Sequence, residues 1–164
     1  MKREKPTSGY RGWHTSDWNT KLNKSKRPLP NGAKVAAPPY ASVYLDKDGQ
    51  MFGEMESQMR YFLANNHLAL NADFKEPADH LAVYLALMQQ WVLTSADGDS
   101  ADLQNTATEQ HAFLQQALMT WLPRFVKRCH TVNVLSGFYP AVAGLLLAFV
   151  SMDCEYLRVQ TDSH

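Results

Sequence analysis

The densest grouping of chemically capable side chains in the chain is Glu76-Pro77-Ala78-Asp79-His80, which puts two carboxylates and an imidazole within five residues. One chemistry for it is structural. Proline loses no hydrogen bond in the first turn of a helix, and acidic groups on either side of it sit well at the positive end of the helix dipole. A second is recognition, in which Asp79 and His80, at a hinge between helices, offer a carboxylate and an imidazole to an incoming basic segment, with Glu76 beside them. A third is proton transfer by an Asp-His pair. Neighbouring residues of a helix point in different directions, however, and no nucleophile accompanies them.

Other chemistries have no support in the residues. Neither GxxxxGK[ST] nor GxGxxG occurs, so the backbone cradle that holds nucleotide phosphates is not expected. No HExxH or cysteine-rich set is present, and His14, His67, His80, His111 and His130 lack the spacing that places two ligands on one helix face; no metal and no other cofactor is expected. The GxSxG elbow of a serine hydrolase is missing, and Ser136-Gly137 reads as a helix entry. Cys129 and Cys154 fall in helical stretches and read as small buried hydrophobes in a reducing compartment.

Charge is divided along the chain although its formal sum is zero. Residues 1–35 hold nine Lys or Arg against Glu4 and Asp17, and the remainder holds seven against fourteen acidic residues. An acidic body with a basic arm is poorly suited to nucleic acid and better suited to a basic ligand. Tyr10, Trp13 and Trp18 could stack on bases, but a flexible arm docking on its own domain is the favoured reading, and no RNA binding is expected of them. No signal-peptide-like apolar segment occurs in Met1 to Pro30. The longest apolar run, Phe138 to Met152, is shorter than the roughly 20 residues a bilayer needs, and is expected to be a core helix.

With 164 residues, 45% of them hydrophobic, the chain has material for one core. The expected organisation is a basic, extended or disordered arm over residues 1–36, followed by an all-α domain of four to five helices over residues 37–160. Pro38 and Pro39 favour extended backbone, so Val43 to Leu45 is expected to be a short extended segment or stiff loop, with Asp48-Gly49 as a turn. Met51, Met55, Met59, Phe62 and Leu63, at steps of three and four, predict a helix ending near Asn65-Asn66. The Glu76 to His80 junction opens a second helix with Leu81, Leu85, Met88 and Val92 on its apolar face, broken at Asp97-Gly98-Asp99. A third runs from about Asp102 to Cys129 and is kinked or divided by Pro123. A fourth, from about Ser136 to Leu157, carries Val142, Leu145, Leu146, Phe149, Val150 and Met152 around most of its circumference and is expected to be central.

Two segments carry a resemblance. Ala37-Pro38-Pro39-Tyr40-Ala41-Ser42-Val43-Tyr44-Leu45-Asp46 is similar to the proline loop of the TorD/DmsD/NarJ family of redox-enzyme maturation chaperones, and Glu76-Pro77-Ala78-Asp79-His80-Leu81 resembles the E-P-x-D-H-L signature of that family. Trp121-Leu122-Pro123-Arg124-Phe125 and Gly137-Phe138-Tyr139 resemble its last helices, and Ala78 and the Phe-Tyr pair lean towards its TorD branch. The likeness covers about residues 36 to 156, the later part of a family member, with a basic arm where further helices usually precede the proline loop.

The resemblance implies a cytoplasmic, non-enzymatic protein. Its partners would be the precursor of a molybdenum reductase, a trimethylamine N-oxide reductase first among them, and the twin-arginine signal peptide of that precursor. Asp79 and His80 would contact the peptide, Glu76 would support them, and Pro38, Pro39 and Tyr40 would line the groove. The competing readings are a small enzyme using Asp79 and His80 as an acid-base pair, or a truncated family member without function. A bundle lacking its preceding helices is also expected to bury apolar faces by dimerising, for instance by helix exchange.

Overall fold

The computed structural model describes residues 36–95, 100–132 and 137–162. The basic arm and the Asp97-Gly98-Asp99 break lie outside the described residues. Six α-helices and no strand occur among the described residues: α1 (Ala41–Leu45), α2 (Glu54–Asn65), α3 (Leu81–Ser95), α4 (Ser100–Phe113), α5 (Leu122–Thr131) and α6 (Phe138–Asp162). The all-α expectation holds.

The proline pair does not keep the next residues extended. Tyr40 is still extended at φ −125°, ψ 132°, but Ala41 begins a turn of helix, because its N–H and that of Ser42 find acceptors on a distant segment described below. The turn after α1 is closed by Gly49 at φ 56°, a left-handed conformation that glycine adopts without steric cost. Asp46, just beyond α1, then caps α2, its carboxylate accepting the N–H of Glu54 at 2.7 Å. That carboxylate packs so closely on Gly53 that a β-carbon there would lie 1.6 Å from Asp46 Oδ2. α2 buries Met59, Phe62 and Leu63 as its spacing predicts, together with Glu56, which pairs with Arg60 one turn on.

α3 turns its most buried stripe, Val83, Tyr84, Leu87 and Trp91, into the core. The stripe Leu81, Leu85, Met88 and Val92 lies to one side, half-buried at first and exposed by Val92. The core is aromatic. Trp91 meets Phe113 edge-on at 5.1 Å, Phe113 lies 5.3 Å from Phe62 and 5.7 Å from Tyr84, and Tyr84 lies 5.5 Å from Trp121. Rings at these separations gain both buried area and edge-to-face electrostatics.

The long third helix expected from the sequence is divided, but the division begins before Pro123. After α4 the chain widens into a π-helical turn, Leu114–Leu118, where the N–H of Met119 reaches the carbonyl of Leu114 at 2.8 Å. The extra residue in that turn lets Leu114, Ala117 and Leu118 all face the core. Pro123 then occupies the first turn of α5, where its missing N–H costs nothing.

α6 corrects the sequence expectation most. It is not central: it packs on α4 and α5 through Ala143, Val150, Cys154 and Leu157, while Leu145 is 71% exposed and Met152 73%. By length and composition it could cross a membrane, and 22% of that stretch is buried. An apolar circumference read as burial on all sides is here two different faces, one turned to the domain and one to solvent.

Candidate functional site

The two segments that carry the sequence resemblance are joined in space. The N–H of Ala41 donates to the carbonyl of Asp79 at 3.1 Å, and the N–H of Leu81 donates to the carbonyl of Pro39 at 2.9 Å, so Tyr40 and His80 form a single antiparallel bridge. Side chains complete the clasp. Asp79 Oδ2 accepts the N–H of Ser42 at 2.8 Å, and the Tyr40 hydroxyl donates to Glu76 Oε2 at 2.7 Å. A two-bond backbone bridge would be weak alone, but the buried charge-assisted bond adds the stronger element.

Local sequence explains why the hinge takes this shape. Pro77 and Ala78 are buried, and Ala78 leaves no side chain beyond its methyl where the proline loop approaches. His80 directly precedes α3 and accepts the N–H of Ala82 on Nδ1 at 3.1 Å, which caps the helix. That bond requires Nδ1 to be unprotonated, placing the proton of the neutral ring on Nε2. The imidazole is half-buried between Tyr40, 5.1 Å away, and Phe74, 6.0 Å away, both edge-on.

Burial sets the electrostatics. Desolvation lowers the pKa of His80 below 6.5, opposed by the negative charges of Glu76 and Asp79. It raises that of Asp79 above the ordinary carboxylate value, opposed by the Ser42 hydroxyl and N–H. Desolvation, reinforced by the bond to Glu76, raises the Tyr40 phenol, which stays protonated and is a donor at every physiological pH.

Of the six residues singled out in the sequence, Asp79 is wholly buried and Pro38 is buried. Pro39, Tyr40 and His80 are partly accessible, and the Glu76 side chain is exposed. The structure thus brings all six to one place but gives them different access to a ligand. Asp79 turns its carboxylate inward, to the start of α1. No group of three or more His, Cys, Asp or Glu among the described residues is arranged to hold a metal ion.

A second feature lies further along α3. Leu85, Met88, Val92 and Leu93 line an open, largely apolar groove to which Phe149 of α6 also contributes, with a volume of about 320 Å³. Asp153 sits at its edge, and burial raises its pKa above the ordinary carboxylate value. The sequence marked Leu85, Met88 and Val92 as one apolar face and Phe149 as part of another, but not their approach or the place of Asp153 beside them, which depend on where α6 lies relative to α3.

The profile of the family described as nitrate reductase delta subunit matches residues 30–127, more than half of the chain and all of the clasp. Proteins named chaperone protein TorD are similar over most of the chain: 44% identical over 123 residues in Psychrobacter sp. (strain PRwf-1), 36% over 125 in Vibrio atlanticus and 39% over 134 in Shewanella pealeana. The chain belongs to the TorD/NarJ family. The matches take in 75%, 76% and 77% of this chain, which spans 55%, 58% and 56% of the lengths of those TorD proteins. No solved structure matches it.

Proposed function

We propose that this TorD-family chain is a cytoplasmic, non-catalytic chaperone that binds the twin-arginine signal peptide of a molybdenum reductase precursor, a trimethylamine N-oxide reductase in the first instance, and keeps the precursor open to cofactor insertion before export. The observation that carries this reading is the clasp itself. It gathers both resemblance segments into one edge where an exposed carboxylate, Glu76, a phenol and a neutral imidazole lie side by side.

Such an edge suits a guanidinium. Glu76 can accept charge-assisted bonds, and the Tyr40 ring offers a π face. Asp79 acts in this reading as a positioning residue that fixes α1 against the hinge, with Pro38 and Pro39 shaping the wall. The groove along α3 begins five residues beyond His80, and Met88 and Val92 lie about 12–18 Å along the helix axis from it. That is a suitable place for an apolar stretch following an arginine pair, taken up as a helix in a groove.

An acid-base enzyme is the less favoured reading, because the Asp79 carboxylate is buried against Ser42 and His80 Nδ1 is engaged by Ala82. Calorimetric titration of the full chain with a twin-arginine signal peptide, beside its Lys-Lys version, tests the proposal. Binding that weakens for Lys-Lys is expected. Equal binding of both, or none by a chain with a cooperative melt, would sink it.

A further inference from the structure

Helices α3 and α6 both pack on α4 and leave between them the groove described above, with the buried Trp91 and Leu114 beneath it. Its polar lining is sparse: Gln89 of α3, Gln110 of α4 and Asp153 of α6. Asp153 is half-buried, and its carboxylate makes no hydrogen bond or ion pair with the described residues. Burial alone raises its pKa above the ordinary carboxylate value.

The surrounding elements offer this carboxylate no cation. α3, α4 and the π-helical turn contain no Lys or Arg, and the one in α6, Arg158, is held by Glu155 and Asp162 at 2.6 and 2.8 Å. His111 of α4 acts on Glu155, and α5, where Arg124, Lys127 and Arg128 lie, contributes nothing to the lining of the groove. A half-buried carboxylate among apolar side chains without a counterion destabilises the fold slightly, and a ligand that brings the positive charge removes that penalty.

We propose that Asp153 is a subsite for a Lys or Arg side chain of the bound peptide, distinct from the arginine pair at the clasp, so that the groove selects an apolar segment carrying a third basic residue. This rests on the signal-peptide reading above and names what such a peptide must contain. Phe149 and Asp153 are one turn apart on the same side of α6, about 6 Å along its axis. The ligand therefore presents an apolar side chain and a cation at that spacing, three or four residues apart in a helix. The α3 wall runs from Leu85 to Leu93, so the cation falls roughly 8–20 Å from His80, or about five to thirteen residues from the pair in a helical ligand. A metal ion is a poor occupant, because the groove holds no second carboxylate, His or Cys. Residues 1–35 bring lysines and arginines but no apolar run to fill the trough.

The test is calorimetric titration of the full chain with three peptides. The first is an arginine-pair signal peptide with one lysine in its apolar stretch, prepared as a series with the lysine about five to thirteen residues after the pair. The second replaces that lysine by glutamine, and the third is an apolar helical peptide with one lysine and no arginine pair. At the matching position, lysine to glutamine in the peptide and Asp153→Asn in the protein should each weaken binding about fivefold, and together no more than either alone. Asp153→Asn should melt no lower than wild type at pH 7, since a carboxylate whose pKa is raised opposes folding when ionised. Losses that multiply, an Asp153→Asn chain that binds every lysine peptide as wild type does, or a lowered melting temperature would each overturn the proposal. The third peptide separates the two readings. If it binds and depends on Asp153 while the arginine pair adds nothing, the subsite stands and the signal-peptide reading falls. If the pair matters and Asp153 does not, the subsite falls alone; if no peptide binds a cooperatively melting chain, both fall.

Discussion

The N–H of Ser42 is bonded at 2.8 Å to the carboxylate of Asp79, thirty-seven residues later in the chain, and both residues are fully buried. A five-residue helix is too short to be stable alone. α1 exists because its first turn is met by Asp79, whose main-chain carbonyl takes the N–H of Ala41 and whose side chain takes the next.

Asp79→Ala should therefore destabilise the domain by about 2–3 kcal/mol, the cost of leaving a buried N–H without its charged acceptor. Asp79→Asn keeps an oxygen in place and removes a carboxylate whose pKa burial has raised. A raised carboxylate opposes folding where it is ionised, so the asparagine variant should be at least as stable as wild type at pH 7. Urea denaturation of the two variants separates these outcomes, and equal losses for both would contradict the capping role.

His80 gives a prediction in pH. Its pKa is lowered in the folded chain, so unfolded chains take up a proton first as the solution is acidified. The contribution of the neutral ring is complete above pH 6.5 and declines below it until the folded ring is also protonated. His80→Asn retains a cap for the N–H of Ala82 and should stay within about 0.5 kcal/mol of wild type at pH 8. Between pH 7 and 5 its melting temperature should fall less than that of wild type. Parallel curves would show that the ring does not titrate with folding.

Gly53 and Asp46 should behave as a coupled pair. A methyl at Gly53 meets the Asp46 carboxylate, so Gly53→Ala is expected to cost about 2–3 kcal/mol, as overpacking does. Asp46→Ala removes the cap of α2 at about 1 kcal/mol. With the carboxylate gone the methyl has room, and the double variant should be more stable than the sum of the two losses predicts, by at least 1 kcal/mol. Additive losses in a chemical-denaturation cycle would mean that the backbone, not the carboxylate, excludes the side chain.

Glu76 separates recognition from stability. Its side chain is exposed, and Glu76→Gln keeps an acceptor for the Tyr40 hydroxyl. If the carboxylate meets an arginine of the signal peptide, this change should weaken peptide binding about tenfold, near 1.4 kcal/mol, and leave the melting temperature within a degree or two. Unchanged affinity would remove Glu76 from the contact surface.

The particular residues show what a sequence can and cannot convey here. Helix periodicity marked the buried side of α2 and the start of α3, and Pro123 announced the break before α5, because these are local consequences of side-chain spacing and a missing N–H. The helical turn at Ala41 was hidden, since its acceptors come from Asp79. The same long-range bond hid the burial of Asp79, which in sequence looks like an available carboxylate. α6 was misplaced for another reason: two interleaved seams, each at 3.5-residue spacing, sum to an apolar helix whose sides differ only once its neighbours are known.

The bridge between Tyr40 and His80 makes the intervening chain a lasso. Its knot is tied by two backbone bonds and by the carboxylates of Asp79 and Glu76, and its far side, at Asn71, Ala72 and Asp73, is exposed to solvent. A protease cutting there would open the loop without untying the knot, because α2 remains held by Phe62 against Phe113 and α3 remains held at its first residue by Pro39. The chain is thus wired to survive as two pieces, and the loop tip is where evolution or an engineer can insert residues without disturbing the edge that Tyr40, Glu76 and His80 present.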